Sequence, residues 1–176
     1  MLDTSASSFI LLPAFAKIVC DPGWKWQVRE KPMPNYDLFY VWSGEGTVVL
    51  NGKAYPVSKG SCFLFKPGDD TRATHNPQKP LILTYIHFDL TEQPKQIPAS
   101  YRMLEETFEV EHMLARYVRL RLERAYGADE EGRLILKQLM IHLLRADRKE
   151  PQEQQASNQL TEVIRETANY VRQHPG

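Results

Sequence analysis

The chain begins with short segments in which apolar and polar residues alternate, and it continues with segments whose apolar residues recur every three or four positions. Alternation is typical of β-strands with one buried face, and the longer period is typical of amphipathic helices. The change falls at 93–99, where Pro94 and Pro98 interrupt both patterns. The pattern therefore predicts a β-rich first part followed by helices.

The predicted strands are short and are separated by turns rich in glycine. Asn51-Gly52 is the strongest hairpin signal, because both residue types tolerate the positive φ of a tight two-residue turn. The residues 69–80 are polar and predict a loop. Strands are predicted at 9–20, 24–29, 38–42, 47–50, 54–57, 61–65 and 81–90, which together outline a small barrel.

Two helices are predicted within 101–148 and a third at 159–174, after a polar linker. The first helix presents an apolar face made of Leu104, Phe108, Ala115, Val118, Leu122 and Ala125. The second carries a wider stripe made of Ile135, Leu136, Leu139, Met140, Leu143 and Leu144. A stripe of that width needs a second surface besides the barrel, and we expect an antiparallel second copy of the chain to supply it through this helix; the competing explanation is that the first or third helix covers it within one chain.

Several turn and strand signals follow one another in a fixed order: Tyr40-Val41-x-x-Gly44-x-Gly46, then Gly60, Pro67-Gly68 and Tyr85-Ile86-His87-Phe88. The series resembles the cupin-type sensor domain of AraC-like transcription regulators. The resemblance implies a mainly β fold: a cupin (double-stranded β-helix, jelly-roll-like) barrel followed by a C-terminal helical pair. It divides the chain into a sensor barrel with an N-terminal arm at 1–98, a helical dimerisation segment at 99–149, a linker at 150–158, and the first helix of a truncated helix-turn-helix domain at 159–176.

The composition limits the possible partners. Twenty-two basic residues balance 22 acidic ones, so the chain has no net charge that would attract nucleic acid. Within the resemblance, DNA is therefore bound only through a C-terminal domain that this chain lacks. The two cysteines lack metal-ligand spacing, and no segment has the length of a membrane span or the pattern of a signal peptide. These features favour a cytoplasmic location without membrane contact. The homodimer is what the resemblance implies, together with the wide stripe of the second helix.

The alternative function is a stand-alone cupin enzyme, such as a dioxygenase, isomerase or epimerase, which requires metal ligands inside the barrel. Asp37 lies seven residues before Gly44, where metal-binding cupins carry a carboxylate. The expected His-x-His is absent from 31–34, and Thr71 stands where the last histidine ligand belongs. We therefore predict no enzyme, no catalytic residue, no metal site and no cofactor.

A binding site for a small-molecule effector is predicted inside the barrel. Asp37 and Phe39 share one face of a strand, and Tyr85 and His87 share one face of another. The resemblance implies that both faces point into the barrel. Arg29 matches an arginine that reaches the ligand in the sugar-responsive members of the family. Tyr85 matches an aromatic residue on which the ligand stacks. Leu83 replaces another ligand histidine, so a carbohydrate is only one candidate.

The predicted ligand-binding residues are Trp26, Arg29, Asp37, Phe39, Tyr85 and His87. For the aromatic members, ordinary core packing is the competing interpretation, because aromatic side chains dominate cores by the area they bury. Arg29 has a second alternative, which is a surface ion pair at the rim of the barrel.

Overall fold

A computed structural model describes residues 5–26 and 31–148 of the 176-residue chain. Within these residues, a short 3-10 helix at Ala6–Ser8 precedes nine strands and two helices. The strands are β1 (Phe9–Val19), β2 (Lys25–Trp26), β3 (Tyr36–Ser43), β4 (Gly46–Leu50), β5 (Lys53–Val57), β6 (Ser61–Phe65), β7 (Thr71–His75), β8 (Ile82–Leu90) and β9 (Tyr101–Met103). Helix α1 spans Phe108–Glu123, and helix α2 spans 128–148 within the described part of the chain.

The strands form two antiparallel sheets that face each other. The first sheet has the order β1-β8-β3-β6-β9, and the second has the order β2-β7-β4-β5. Most consecutive strands lie in opposite sheets, as in a jelly-roll barrel; the exceptions are β4 and β5, which form a hairpin in the second sheet, and β8 and β9, which both lie in the first. This arrangement, with two helices after the strands, confirms the predicted fold class.

The predicted turns lie where the glycines indicated. Asn51 and Gly52 both have positive φ, 49° and 81°, and join β4 to β5 in register. Gly44, with φ of 91°, is held tightly, because a Cβ at this position would collide with the backbone carbonyl of Pro80. The hairpin signal and the motif glycine therefore mark real backbone requirements.

Two strands were missed by the sequence pattern. The predicted loop at 69–80 contains β7, which pairs with both β2 and β4. Helical structure was predicted from 101 onward, but Tyr101–Met103 is β9 and pairs with β6. The polar composition of β7 and the three-residue length of β9 hide both strands from an argument based on apolar periodicity.

A first core, here called the outer-face core, lies between the five-stranded sheet and the two helices. Its sheet side includes Leu38 and Tyr40 of β3, and its helix side includes Tyr117 of α1 and Leu139 of α2. The remaining buried members are Phe9, Tyr36, Cys62, Leu64, Ile86, Phe88, Val110, Leu114, Val118, Ile135, Leu136, Met140 and Leu143. The helices therefore cover the outside of the barrel.

The helix faces differ from the predicted ones. In α1 the buried residues are Val110, Leu114, Tyr117 and Val118. Phe108 and Leu122, which were assigned to its apolar face, are instead 79% and 67% exposed. The wide stripe of α2 is covered within one chain, by α1 on one side and the sheet on the other, so it supplies no argument for a second copy.

The end of α2 is tied to the segment that contains β9. Arg102, buried in β9, forms an ion pair with Asp147, whose other carboxylate oxygen accepts a hydrogen bond from the Ala99 N–H at 3.1 Å. Arg148 donates to the side-chain oxygen of Gln96 at 3.0 Å. These contacts fix the last described turn of α2 against the barrel.

Neither described helix combines the length and the apolar character needed to cross a membrane. The predicted linker at 150–158 and the predicted third helix at 159–174 lie outside the described residues, and they stay predictions.

Candidate functional site

The barrel interior is formed by alternate residues of facing strands. Asp37 and Phe39 of β3 are in register with His87 and Tyr85 of β8, respectively. Phe39 belongs to a second core inside the barrel, and Tyr85 packs against it. The buried members of this interior core are Cys20, Met33, Phe39, Val41, Val48, Leu50, Val57, Phe63, Phe65, Ala73, Leu81 and Leu83. The predicted inward direction of both strand faces is therefore found in the structure.

Polar side chains meet at one end of this interior. His87 Nε2 lies 3.5 Å from Asp37 Oδ2, and His87 Nδ1 lies 2.7 Å from Asn35 Oδ1. The side chain of Asp37 is 1% exposed and that of His87 is 13% exposed. Both ring nitrogens thus face oxygen acceptors, and a doubly protonated imidazole donates to both. The arrangement places a carboxylate, an imidazole and an amide in a shielded environment where hydrogen bonds are strong.

Aromatic rings line the space beside these polar groups. The ring of Trp26 lies 6.0 Å from that of Phe39 and 5.6 Å from that of Phe65. The ring of Tyr85 meets that of His87 edge to face at 5.9 Å. Ring faces suit the apolar side of a small ligand, while the neighbouring polar groups orient it.

Further along the barrel the interior is filled by aromatic packing. Phe63 contacts Tyr101 with ring centroids 4.7 Å apart, and Tyr101 contacts Tyr55 at 4.6 Å. Phe39 and Phe65 join the same cluster through Phe63. The polar end next to Asp37 and His87 is therefore the part of the described interior best equipped to orient a ligand.

The structure brings five of the six predicted site residues into the barrel interior: Trp26, Asp37, Phe39, Tyr85 and His87. Arg29 lies outside the described residues, so its direction stays a prediction. Two further polar residues at this end were missed, Asn35 and Thr71. Asn35 lies between strands, where no periodicity points to a face, and Thr71 lies in β7, where Ala73 is the one apolar residue and gives no periodic signal.

The described residues contain no group of three or more histidine, cysteine, aspartate or glutamate side chains placed to hold a metal ion. Both cysteines are free and buried thiols. Burial, aided by the charge of Asp21, raises the pKa of Cys20 to about 11. Burial also raises the pKa of Cys62 to about 12, against the opposing effect of Arg102. At neutral pH both are therefore neutral thiols and weak metal ligands.

Comparison with known proteins gives one family. The family model of the AraC-like ligand binding domain matches residues 19–144, which includes every strand from β2 to β9. No curated protein matches the chain.

Solved structures with related folds are distant. The cupin domain of Cnp3 from Schizosaccharomyces pombe is 21% identical with a TM-score of 0.39, and the match covers 47% of this chain and 64% of that one. YhaK from Escherichia coli is 22% identical with a TM-score of 0.39, covering 53% of this chain and 44% of that one. A predicted oxalate decarboxylase from Thermotoga maritima is 20% identical with a TM-score of 0.37, covering 47% and 78%. At these TM-scores the structural neighbours support no conclusion about function. The match covers less than two thirds of the length of the Cnp3 domain and of YhaK.

Proposed function

Because the chain belongs to the family of AraC-like ligand-binding domains, we propose that it is the effector-sensing and dimerisation part of a transcription regulator and not an enzyme. A small molecule binds at the polar end of the barrel, and a carbohydrate is one candidate. DNA is bound by a separate C-terminal domain. Two free buried thiols support a reducing cytoplasm as the location.

The observation that carries this proposal is the contrast inside the described barrel between its aromatic filling and the polar end that holds Asp37, His87 and Asn35. Asp37 is buried and faces His87 across two neighbouring strands, so a ligand there meets fixed hydrogen-bonding partners. Phe39, Tyr85 and Trp26 provide ring surfaces beside them. Rigid rings and a few convergent polar groups are the usual composition of a small-molecule site.

A route from this site to the helices is available through β9. Tyr101 packs on Phe63 inside the barrel, while its neighbour Arg102 lies on the other face of the strand and pairs with Asp147 of α2. A ligand that shifts the interior rings would therefore act on the last described turn of α2. Such a shift changes how the two copies of a dimer are placed, provided the ligand binds the two arrangements with different affinity.

The dimer surface that we propose is the exposed side of α1. Phe108, Ala115 and Leu122 recur every seven residues and are all exposed, so they share one exposed face of α1, as residues at one heptad position of a coiled coil do. This surface replaces the stripe of α2, whose residues are buried within the chain. A second copy is a fitting occupant, because an isologous pairing covers the same seam on both molecules.

Charge distribution favours an antiparallel pairing of α1 with its own copy. Exposed acidic residues, Glu105, Glu106 and Glu109, lie at and before the start of the helix, and exposed Arg116, Arg119 and Arg124 lie toward its end. In an antiparallel pair, the acidic end of one helix faces the basic end of the other. The two ends therefore attract each other, and a parallel pair would place like charges together.

Effector binding can be tested by thermal unfolding with a panel of pentoses, hexoses, uronic acids and alditols. We expect at least one compound to raise Tm in the wild type and to lose this effect in Asp37→Asn and His87→Gln. Glu45→Gln is the control, because Glu45 forms an exposed ion pair with Lys79 away from the interior. The compound should be recovered unchanged after incubation with the protein and Fe²⁺, Mn²⁺ or Zn²⁺. Turnover would favour the cupin enzyme instead.

The dimer can be tested by sedimentation velocity. Leu122→Glu and Phe108→Glu introduce charges into the proposed seam, and we expect folded monomers from both. Arg72→Glu is the control, since Arg72 is an exposed residue of β7 remote from α1. A wild type that is monomeric, or a Leu122→Glu dimer as stable as the wild type, would rule out this seam.

A further inference from the structure

The hydroxyl of Thr71 is buried without a hydrogen-bond partner. Thr71 opens β7 and is 1% exposed, and its Oγ1 makes no hydrogen bond. Two residues on, Ala73 belongs to the interior core, so strand alternation places the Thr71 side chain on the interior side as well. Buried hydroxyls in native proteins almost always have a partner, because leaving one unbonded is costly.

Thr71 lies at the polar end of the barrel. Residues 66–70 connect it to Phe65, which is in register with Asp37, and Asp37 is in register with His87. The segment before β3 closes the same end, since Met33 donates its N–H to the Asp69 carbonyl at 2.9 Å and accepts from Gly68 at 2.8 Å. The first sheet therefore contributes the carboxylate and the imidazole, and the second sheet contributes the hydroxyl.

We infer that Thr71 is a ligand-contacting residue that determines which effector the site accepts. This inference rests on the proposed sensor function. The missing partner of Oγ1 is a hydrogen-bonding group of the effector, held between the hydroxyl on one sheet and Asp37 and His87 on the other. The site thus takes a compact molecule with polar groups on two opposite sides and an apolar surface between them, which packs on the rings of Trp26 and Phe39.

A matched pair of threonines makes the inference testable. Thr84 is as deeply buried as Thr71, but its Oγ1 accepts a hydrogen bond from Trp42 Nε1 at 2.8 Å on the outside of the barrel. Removing a hydroxyl that makes a hydrogen bond lowers the stability of the folded protein, whereas removing a buried hydroxyl that makes none does not. In the free protein we therefore expect Thr84→Val to lower Tm, and Thr71→Val to leave Tm unchanged or raise it.

Binding is measured with a defined equimolar mixture of pentoses, hexoses, uronic acids and alditols. Native mass spectrometry identifies the retained component, and calorimetry gives its affinity. We expect Thr71→Val to bind that component at least about tenfold more weakly than the wild type. Thr71→Ser, which keeps the hydroxyl, and Thr84→Val should both retain the wild-type affinity.

Equal affinities of Thr71→Val and the wild type would overturn the inference and assign the partner of the hydroxyl to a bound water. A fall in the Tm of free Thr71→Val that matches the fall in Thr84→Val would also overturn it, because the hydroxyl would then be used in the absence of ligand. If the wild type retains no component, the proposed sensor function fails for these compounds and the inference falls with it. The first two outcomes leave the sensor function intact, so the two failures are distinguishable.

Discussion

The two faces of the five-stranded sheet are made by alternate residues of the same strands, but they are completed in different ways. In β3, Leu38 and Tyr40 point outward and are covered by α1 and α2, whereas Asp37 and Phe39 point into the barrel. The outer face is rich in aliphatic residues supplied by helices. The inner face is rich in aromatic rings and has a polar end at Asp37 and His87. The comparison indicates that the outer face stabilises the fold, and it supports the proposal that the inner face carries recognition.

Buried polar groups also differ between the two faces. On the outer side, the Tyr40 hydroxyl donates to Glu111 at 2.7 Å, and the Trp42 indole donates to Thr84 at 2.8 Å. On the inner side, the Thr71 hydroxyl has no partner. The hydroxyl of Tyr117, in the outer-face core, lacks a partner as well. Buried polar atoms without a partner are thus found on both faces, and the one on Thr71 lies at the same end as Asp37 and His87.

The largest expected effect on the free energy of unfolding comes from a substitution that creates a cavity in the outer-face core. Leu139 is 0% exposed between the sheet and the helices. Leu139→Ala should lower the free energy of unfolding by about 2 to 5 kcal/mol, through lost burial and the cavity left behind. Chemical denaturation followed by circular dichroism measures the change.

The matched control for this variant is Leu122→Ala, in which the same side chain is removed from an exposed position of α1. We expect it to stay within about 0.5 kcal/mol of the wild type at protein concentrations where the chain is monomeric. If Leu139→Ala costs no more than Leu122→Ala, the assignment of α2 to the core is wrong and the outer face has no special structural role.

A smaller effect is expected from the contact that joins the two faces. Asp147→Asn removes the charge that pairs with buried Arg102, and a hydrogen bond to a charged group contributes about 1.5 to 3 kcal/mol. Because Asp147 is partly exposed, the lower end of that range is expected. Arg148→Gln, which disturbs only the exposed contact to Gln96, is the control and should be nearly neutral.

The same variant tests the proposed route from the barrel to the helices. Hydrogen exchange of the last turn of α2 should become faster in Asp147→Asn, while exchange in β4 and β5 stays unchanged. Equal exchange in both proteins would mean that β9 does not hold the end of α2, and the proposed route to the helices would lose its support.

The ordered series of glycine turns and strand runs allowed the fold to be predicted, although β3 is buried on both faces and its sequence shows no apolar-polar alternation. Alternation placed Asp37 with Phe39 and Tyr85 with His87, each pair on one face of its strand, and the family resemblance supplied the inward direction of the two neighbouring strands. The face of α1 was misjudged because Phe108 and Leu122 are apolar but exposed. Periodicity reports an apolar stripe without saying whether the chain itself or another molecule covers it.

The missed site residues have a different physical cause. β7 reads Thr-Arg-Ala-Thr-His, and only Ala73 is apolar, so hydrophobic periodicity could not reveal a strand that is stabilised by backbone pairing with both neighbours. Thr71 was considered only as a missing metal ligand. Its burial depends on the opposite sheet, which no local pattern describes. The pairing of His87 with Asn35 likewise depends on the path of the segment before β3.

The smallest expected effect on stability at neutral pH comes from the ionisable groups of the outer-face core, because they titrate only at alkaline pH. Burial raises the pKa of Cys62 from its ordinary 9.0 to about 12, against the opposing charge of Arg102, and that of Tyr117 from 10.0 to about 12, against the opposing charge of Arg121. Burial, and then the contact with Glu111, also raises the pKa of Tyr40. The unfolded chain therefore loses these protons at lower pH than the folded chain. Stability from these groups is complete below about pH 9 and falls as pH rises toward about 12.

The measurement is Tm as a function of pH, in the wild type and in Cys62→Ala. These groups predict a flat profile from about pH 7 to 9 and a decline above it, shallower in Cys62→Ala because one titrating group is removed. Cys20→Ala is the control on the inner side, where burial raises the thiol pKa to about 11, and its slope should change less than that of Cys62→Ala. If Tm falls with pH as steeply in both variants as in the wild type, water reaches the ionisable groups of the outer-face core. This core would then exclude water no better than the interior core does.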